Sequence, residues 1–175
     1  MNKTTFRDTI PGTMTILGAI CLVVTLILAF VYGVTKEPIA HAKVMQADNV
    51  RAALLPAADS FEEVAQQDWP EGVSEVYRAG NLPAYVLRSS AKGFDGQVVF
   101  MMALSEEGDV IAIEMFEHNE TPGLGTKIGN AEYLAKYYGA QDPQLVDSVS
   151  GASKTSNALK QAVLQAKAAV NMVKE

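Results

Sequence analysis

An α+β fold, with one antiparallel sheet flanked by helices behind a single N-terminal transmembrane helix, is what this chain predicts. Three observations carry the prediction. A long uncharged apolar run lies near the N-terminus, short alternating segments separated by turn residues fill the middle, and one continuous apolar stripe marks the C-terminal segment.

The apolar run covers residues 13–34, TMTILGAICLVVTLILAFVYGV, 22 residues without a charge. At 1.5 Å per helical residue it reaches roughly 33 Å, enough to cross a hydrocarbon core of about 30 Å. A cleaved signal peptide has a shorter apolar stretch and a small-x-small cleavage site. Lys36-Glu37-Pro38-Ile39 offers no such site, and Ile20 stands before Cys21 where a lipoprotein signal takes a small residue. An uncleaved anchor is therefore expected. Lys3 and Arg7 outweigh Asp8 before the run, while Lys36 and Glu37 cancel beyond it. The positive-inside rule then sets residues 1–12 in the cytoplasm and everything after Val34 outside.

The whole chain carries −6; three basic and two acidic residues leave +1 in residues 1–40, so residues 41–175 carry −7. An acidic domain argues against nucleic acid and against membrane docking through a polybasic patch. Cys21, the single cysteine, permits neither an intramolecular disulfide nor an all-protein cysteine cluster.

Beyond the anchor, Pro38 predicts a break and residues 40–55 a second helix, with Ala40, Val44, Ala47, Val50, Ala53 and Leu54 near the helical period. Pro56 ends it. Residues 35–55 thus form a membrane-exit segment and helix, and residues 56–175 the domain. Residues 59–72 are mostly polar without a period, and Trp69 among them packs locally. Strands are predicted over 73–79 and 84–89, then over 97–104 after the Gly93-Phe94-Asp95-Gly96 turn. Glu107-Gly108-Asp109 joins 97–104 to a strand at 110–116 as a hairpin. A loop at 118–127 and a short helix around 131–138 follow. Residues 154–173 form the last helix, with Ala158, Leu159, Ala162, Val163, Ala166, Ala169, Val170 and Val173 on one stripe. About 135 residues beyond the anchor suffice for a real core.

Two segments carry candidate chemistry. Ser150-Gly151-Ala152-Ser153 lies just before the terminal helix, where small neighbours expose a hydroxyl and the helix start favours a phosphate. The same residues also suit an ordinary N-cap, so these four alone leave both readings open. Glu120-Thr121-Pro122-Gly123-Leu124-Gly125-Thr126-Lys127-Ile128 is either a generic turn or a loop whose backbone lies against a flat ligand, with Leu124 packed on its face. Other chemistry is excluded. Lys154-Thr155 lacks the glycines of a P-loop, no Gly-x-Ser-x-Gly elbow is present, and Ser89-Ser90-Ala91-Lys92 lacks the companion motifs of a Ser-x-x-Lys enzyme. No catalytic residue and no metal site is predicted.

Asp147-Ser148-Val149-Ser150-Gly151-Ala152-Ser153 resembles the Dxx(S/T)GA(T/S) sequence on which a flavin transferase esterifies a hydroxyl with FMN phosphate. The anchor, its Thr35-Lys36-Glu37-Pro38-Ile39 exit, the Lys92-Gly93-Phe94-Asp95-Gly96 turn, the 120–127 loop and this motif follow in order. In that order they resemble the G subunit of the Rnf complex, the membrane-bound ion-translocating ferredoxin:NAD oxidoreductase. The FMN-binding domain family is shared with the C subunit of the sodium-translocating NADH:quinone oxidoreductase, which has a longer chain. The resemblance implies covalent FMN in phosphoester linkage to Ser153, where the family more often has threonine. It implies a cofactor site from Asp147, Ser150, Gly151, Ala152 and Thr155, with Thr121, Gly123, Leu124, Gly125 and Lys127 toward the flavin. Thr155 and Ser156 are further hydroxyls near the attachment position. Lys127 would stabilise an anionic flavin, and Thr121 or Thr126 would hydrogen-bond it; His118 reads as solvated and His41 as structural.

The implied role is a redox subunit that carries electrons without being catalytic alone. Its partners would be the other membrane and peripheral Rnf subunits, the flavin transferase and the membrane. The implied location is the cytoplasmic (inner) membrane, with the N-terminus in and the FMN domain, residues 56–175, outside. The competing readings are a free-standing extracytoplasmic flavoprotein reductase and a cofactor-free structural subunit.

Overall fold

The apolar run lies inside one continuous helix, α1, Ile10–Leu54, in a computed structural model that describes residues 10–65 and 68–174. Lys3, Arg7 and Asp8, on which the expected orientation rests, lie outside the described residues. The break expected at Pro38 does not occur: the proline sits within the helix. It removes only its own N–H and strains the carbonyl four residues back. The residues on either side are good enough helix formers to carry the helix through.

The chain divides into two units, residues 1–47 and 48–175. The described part of the first is helical throughout and bears exposed Leu17, Leu22 and Phe30. Among the described residues α1 is the one helix long and apolar enough to cross a membrane. Three of its hydroxyls bond within the helix: Thr15, Thr25 and Thr35 each donate to the carbonyl four residues earlier at 2.8 Å. Such bonds satisfy a hydroxyl without a second chain or water.

The second unit is an antiparallel five-stranded sheet in sequence order. The strands are β1 (Phe61–Glu63), β2 (Val73–Ala79), β3 (Ala84–Lys92), β4 (Gln97–Ser105) and β5 (Val110–Glu117). β1 falls in the stretch that shows no period; it is an edge strand of three residues, with Phe61 opposite Ala79 and both glutamates exposed. β3 runs past Ser89 to Lys92 because all nine of its residues pair with β4. The β3–β4 connection is tight: Gly93 N–H donates to Gly96 carbonyl at 2.8 Å, and Gly96 takes φ 107°, a conformation that favours glycine.

β4 is buried along nearly its whole length because both faces of the sheet are covered. Successive residues alternate between two cores: Phe100, Met102 and Leu104 face one, Met101 and Ala103 the other. The first core is closed by α3, Ser153–Lys174, which packs across β3 and β4. Seven residues of its predicted stripe are buried, and Val173 packs half-buried against the same core. Trp69 also rests on it. The short helix appears as α2, Ala131–Leu134, followed by a 3-10 turn at Ala135–Tyr137. The Tyr137 and Tyr133 hydroxyls lie 3.3 Å apart, and burial drives the Tyr137 phenol far above its usual value.

The second core is capped by Leu54 and Leu55. At its margin the Arg51 guanidinium lies 3.7 Å above the Tyr77 ring and pairs with Asp48 at 2.6 Å. Burial raises the Tyr77 phenol despite the opposing pull of the Arg51 charge.

Candidate functional site

Three segments far apart in sequence meet at one end of the sheet: the β3–β4 turn, the loop after β5, and the first turn of α3. Glu120, only 4% exposed, joins them. One carboxylate oxygen accepts from the N–H groups of Phe94 at 2.7 Å and Asp95 at 3.2 Å; the other accepts from Thr155 Oγ1 at 2.8 Å. Two glycines make room for that carboxylate, since a Cβ on either Gly93 or Gly125 would collide with it. Each donor left unpaired in the interior would cost about 1–3 kcal/mol, so the three bonds fix the geometry firmly.

The loop closes on itself through short local bonds. Gly123 N–H donates to Thr126 Oγ1 at 2.9 Å, and Leu124 N–H reaches the Thr121 carbonyl at 3.2 Å. A 3-10 helix over Gly125–Gly129 follows and buries Ile128 in the first core. Leu124 is left half-exposed, toward Gly151. Gly151 takes φ 81°, and the Ala152 N–H returns to the Val149 carbonyl at 3.0 Å, so the chain turns sharply into α3. Ser156 locks this turn from within the helix: its hydroxyl accepts from Val149 N–H and donates to the Ala152 carbonyl, both at 3.0 Å.

Between these segments lies a mostly apolar cavity of about 310 Å³. Of the residues singled out by the sequence, Thr121, Leu124, Gly125, Gly151, Ala152, Ser153 and Thr155 line it. Asp147, Ser150, Gly123 and Lys127 are exposed and do not line it. His118 is exposed and borders a separate surface hollow with Thr126. Three lining residues, Glu120, Phe94 and Lys154, lie in segments the sequence singles out but carry no predicted role at the site. Lys154 holds its ammonium 5.5 Å from the Phe94 ring centroid at the cavity edge.

The three hydroxyls at the start of α3 differ sharply. Thr155 and Ser156 are buried and engaged, whereas Ser153 is exposed at the cavity and its hydroxyl makes no hydrogen bond among the described residues. No acidic residue occupies the first turn of α3, which leaves the positive end of its dipole unopposed.

Residues 93–168 match the FMN-binding domain family, a span that contains every residue lining the cavity. The chain carries an FMN-binding domain. It is 28% identical to the G subunit of the proton-translocating ferredoxin:NAD(+) oxidoreductase complex of Clostridium ljungdahlii, over 89% of this chain and 83% of the relative. It is also 28% identical to the G subunit of the ion-translocating oxidoreductase complex of Stutzerimonas stutzeri, over 93% and 81% of the two chains. The corresponding G subunit of Methanosarcina acetivorans is likewise 28% identical, over 84% and 85%.

The site of this FMN-binding domain suits the cofactor. Its volume falls in the range of small-molecule sites, roughly 300–1,000 Å³, its walls are largely apolar, and few polar groups converge on it. Leu124 and Phe94 offer flat apolar surface, and the free N–H groups of the first turn of α3 suit a phosphate.

Proposed function

We propose that this chain is the membrane-anchored electron-transfer subunit of an ion-translocating ferredoxin:NAD oxidoreductase complex, with FMN bound through a phosphoester to Ser153. The observation that carries the proposal is the contrast among the hydroxyls at the start of α3. Only the Ser153 hydroxyl is open to the cavity, while those of Thr155 and Ser156 are buried and committed to Glu120 and the Ala152 carbonyl.

In the attachment step Ser153 Oγ forms a bond to phosphorus and loses its proton. The bond from phosphorus to its activating group breaks, so the donor is an activated flavin nucleotide brought by a flavin transferase. The bound FMN supplies reversible electron transfer. The residues of this chain place and shield it. Leu124 and Phe94 wall the cavity, Gly125 makes room for Glu120 behind it, Gly151 turns the chain into α3, Thr121 offers a hydroxyl, and the start of α3 would hold the phosphate. Gly123 shapes the loop, and Asp147 and Ser150 serve transferase recognition from the exposed segment before α3. Lys127, exposed on the 3-10 helix, tunes the flavin only at longer range.

Residues 13–34 span the cytoplasmic membrane, 1–12 remain in the cytoplasm, 35–55 lead outward, and 56–175 form the FMN domain outside. The chain carries electrons for the other membrane and peripheral subunits of the complex and does not turn over alone. Its acidic balance beyond residue 40 suits protein partners in preference to nucleic acid.

The test is the intact mass of the protein purified from its native host, beside a Ser153→Ala variant. A gain of one FMN less one water, absent from the variant, supports covalent attachment at Ser153. An unmodified native protein overturns it. Co-purification with multi-span subunits separates a complex component from an independent reductase.

A further inference from the structure

We infer that Glu120 is the positioning residue of the flavin attachment site, acting as a lock that presents the Ser153 hydroxyl to the cavity. The inference rests on the proposal that Ser153 carries the flavin. Glu120 lies 33 positions before Ser153 and touches it nowhere in the hydrogen-bond pattern. Its effect passes through Thr155, two residues into the helix that Ser153 begins.

The geometry is specific. A helix is fixed along its axis by its buried stripe, and for α3 the apolar stripe begins at Ala158, with Ala152 buried just before the helix. The first turn, which bears Ser153, is tied to its own preceding segment by Ser156 but needs a restraint to the other walls of the cavity. The Thr155 hydroxyl, 1% exposed, provides it by donating to Glu120 Oε2 at 2.8 Å. The opposite oxygen holds the N–H groups of Phe94 and Asp95. Two walls of the cavity, the Phe94 turn and the start of α3, are thereby held at a fixed separation by one side chain. Gly93 and Gly125 are shaped to this carboxylate, since a Cβ on either would run into one of its oxygens. The room for Glu120 is thus built from two further segments, as expected of a designed contact and not of a buried group tolerated by chance.

A side chain that only stabilised the fold would affect melting and leave the environment of the cofactor alone. A positioning side chain alters attachment and the flavin signal in protein that remains folded. The experiment uses the full chain expressed with its transferase, comparing wild type with Glu120→Ala, Glu120→Gln, Thr155→Val and Thr155→Ser. Three readouts are taken: far-ultraviolet circular dichroism for the fold, intact mass for flavin occupancy at Ser153, and visible circular dichroism for the flavin environment.

Glu120→Ala and Thr155→Val are expected to keep the far-ultraviolet signal, lose at least five-fold in occupancy, and change the visible signal of the flavin that remains. Glu120→Gln retains a carbonyl for the two backbone N–H groups and an amide that can bond the Thr155 hydroxyl, so it should recover most of the occupancy. Thr155→Ser should do the same. Wild-type occupancy and an unchanged visible signal in both disruptive variants overturn the lock. Should Glu120→Ala fail to fold, Thr155→Val decides alone, since it removes one hydroxyl and keeps the shape. A wild-type protein without flavin overturns the attachment proposal itself, a different outcome from a flavinylated wild type with equally flavinylated variants.

Discussion

A Cβ placed on Gly151 would stand 3.5 Å from Leu124 Cδ2, so the turn into α3 and the loop after β5 lie one methyl group apart. The contact itself is an ordinary van der Waals approach. The backbone is the sterner restraint, because Gly151 takes φ 81°. A residue with a side chain pays roughly 1–2 kcal/mol for that left-handed conformation. Gly151→Ala should therefore lower stability by about that amount, read as a shift in denaturant midpoint, and should reduce flavin occupancy by intact mass. An alanine variant as stable as wild type would show that this turn relaxes without cost.

Lys154 faces two opposed effects of similar size. Its ammonium near the Phe94 ring is a cation–π contact at an exposed site, worth about 0.5–1 kcal/mol. Its charge at the start of α3 opposes the helix dipole by about 0.3–1 kcal/mol. Lys154→Ala is accordingly expected to change thermal stability by no more than about 0.5 kcal/mol. A large loss would reveal that the aromatic contact holds the β3–β4 turn in place.

The core beneath the site should be far less tolerant. Leu159 is fully buried between α3 and the sheet. Leu159→Ala removes a branched side chain from close packing and should cost about 2–5 kcal/mol, depending on how far the core collapses around the void. Urea unfolding of the detergent-solubilised protein measures it. A cost below about 1 kcal/mol would mean that α3 is looser against β3 and β4 than its burial implies.

Tyr137 sets an alkaline limit. Burial, reinforced by the neighbouring Tyr133 hydroxyl, raises its phenol in the folded state. The unfolded chain releases that proton near pH 10, whereas the folded chain holds it. The resulting stability is complete below about pH 10 and declines as the pH rises beyond it. Denaturant midpoints measured from about pH 8 to 11.5 should fall more steeply for wild type than for Tyr137→Phe. Parallel curves would remove this role from Tyr137.

Much of this architecture is legible in the residues. The β2 bounds 73–79 follow from alternation alone, and the stripe from Ala158 to Val173 names the buried face of α3. Helix and strand periods are local properties, so a single segment reveals them. Pro38 misleads for the converse reason: a proline within a long apolar helix looks like a terminus, while its effect is limited to one hydrogen bond and one carbonyl. β1 is too short to show a period and exists only through its pairing with β2.

The candidate site divides along the same line. Ser153, Gly151, Leu124 and Gly125 stand out through local chemistry and turn signals, and all four line the cavity. Glu120, Phe94 and Lys154 do not stand out. The bond from Glu120 to Phe94 spans 26 positions and that from Thr155 to Glu120 spans 35, and no local pattern encodes either. Asp147, Ser150, Gly123 and Lys127 share the motifs of lining residues yet lie outside the cavity, because neighbours along a sharply turned chain diverge quickly in space.

The strand order has a bearing on biosynthesis. Every pairing in the sheet joins neighbours in the chain, so the meander can assemble as it emerges from the ribosome. Its larger apolar face, however, stays uncovered until α3 arrives. A chain stalled before Ala169 and Val170 would leave part of that face wet. Ser153 is translated after every strand of the sheet and before the helix that closes it. Under the proposed attachment at Ser153, the hydroxyl becomes competent only once α3 is made, so chains stalled within α3 should not acquire flavin.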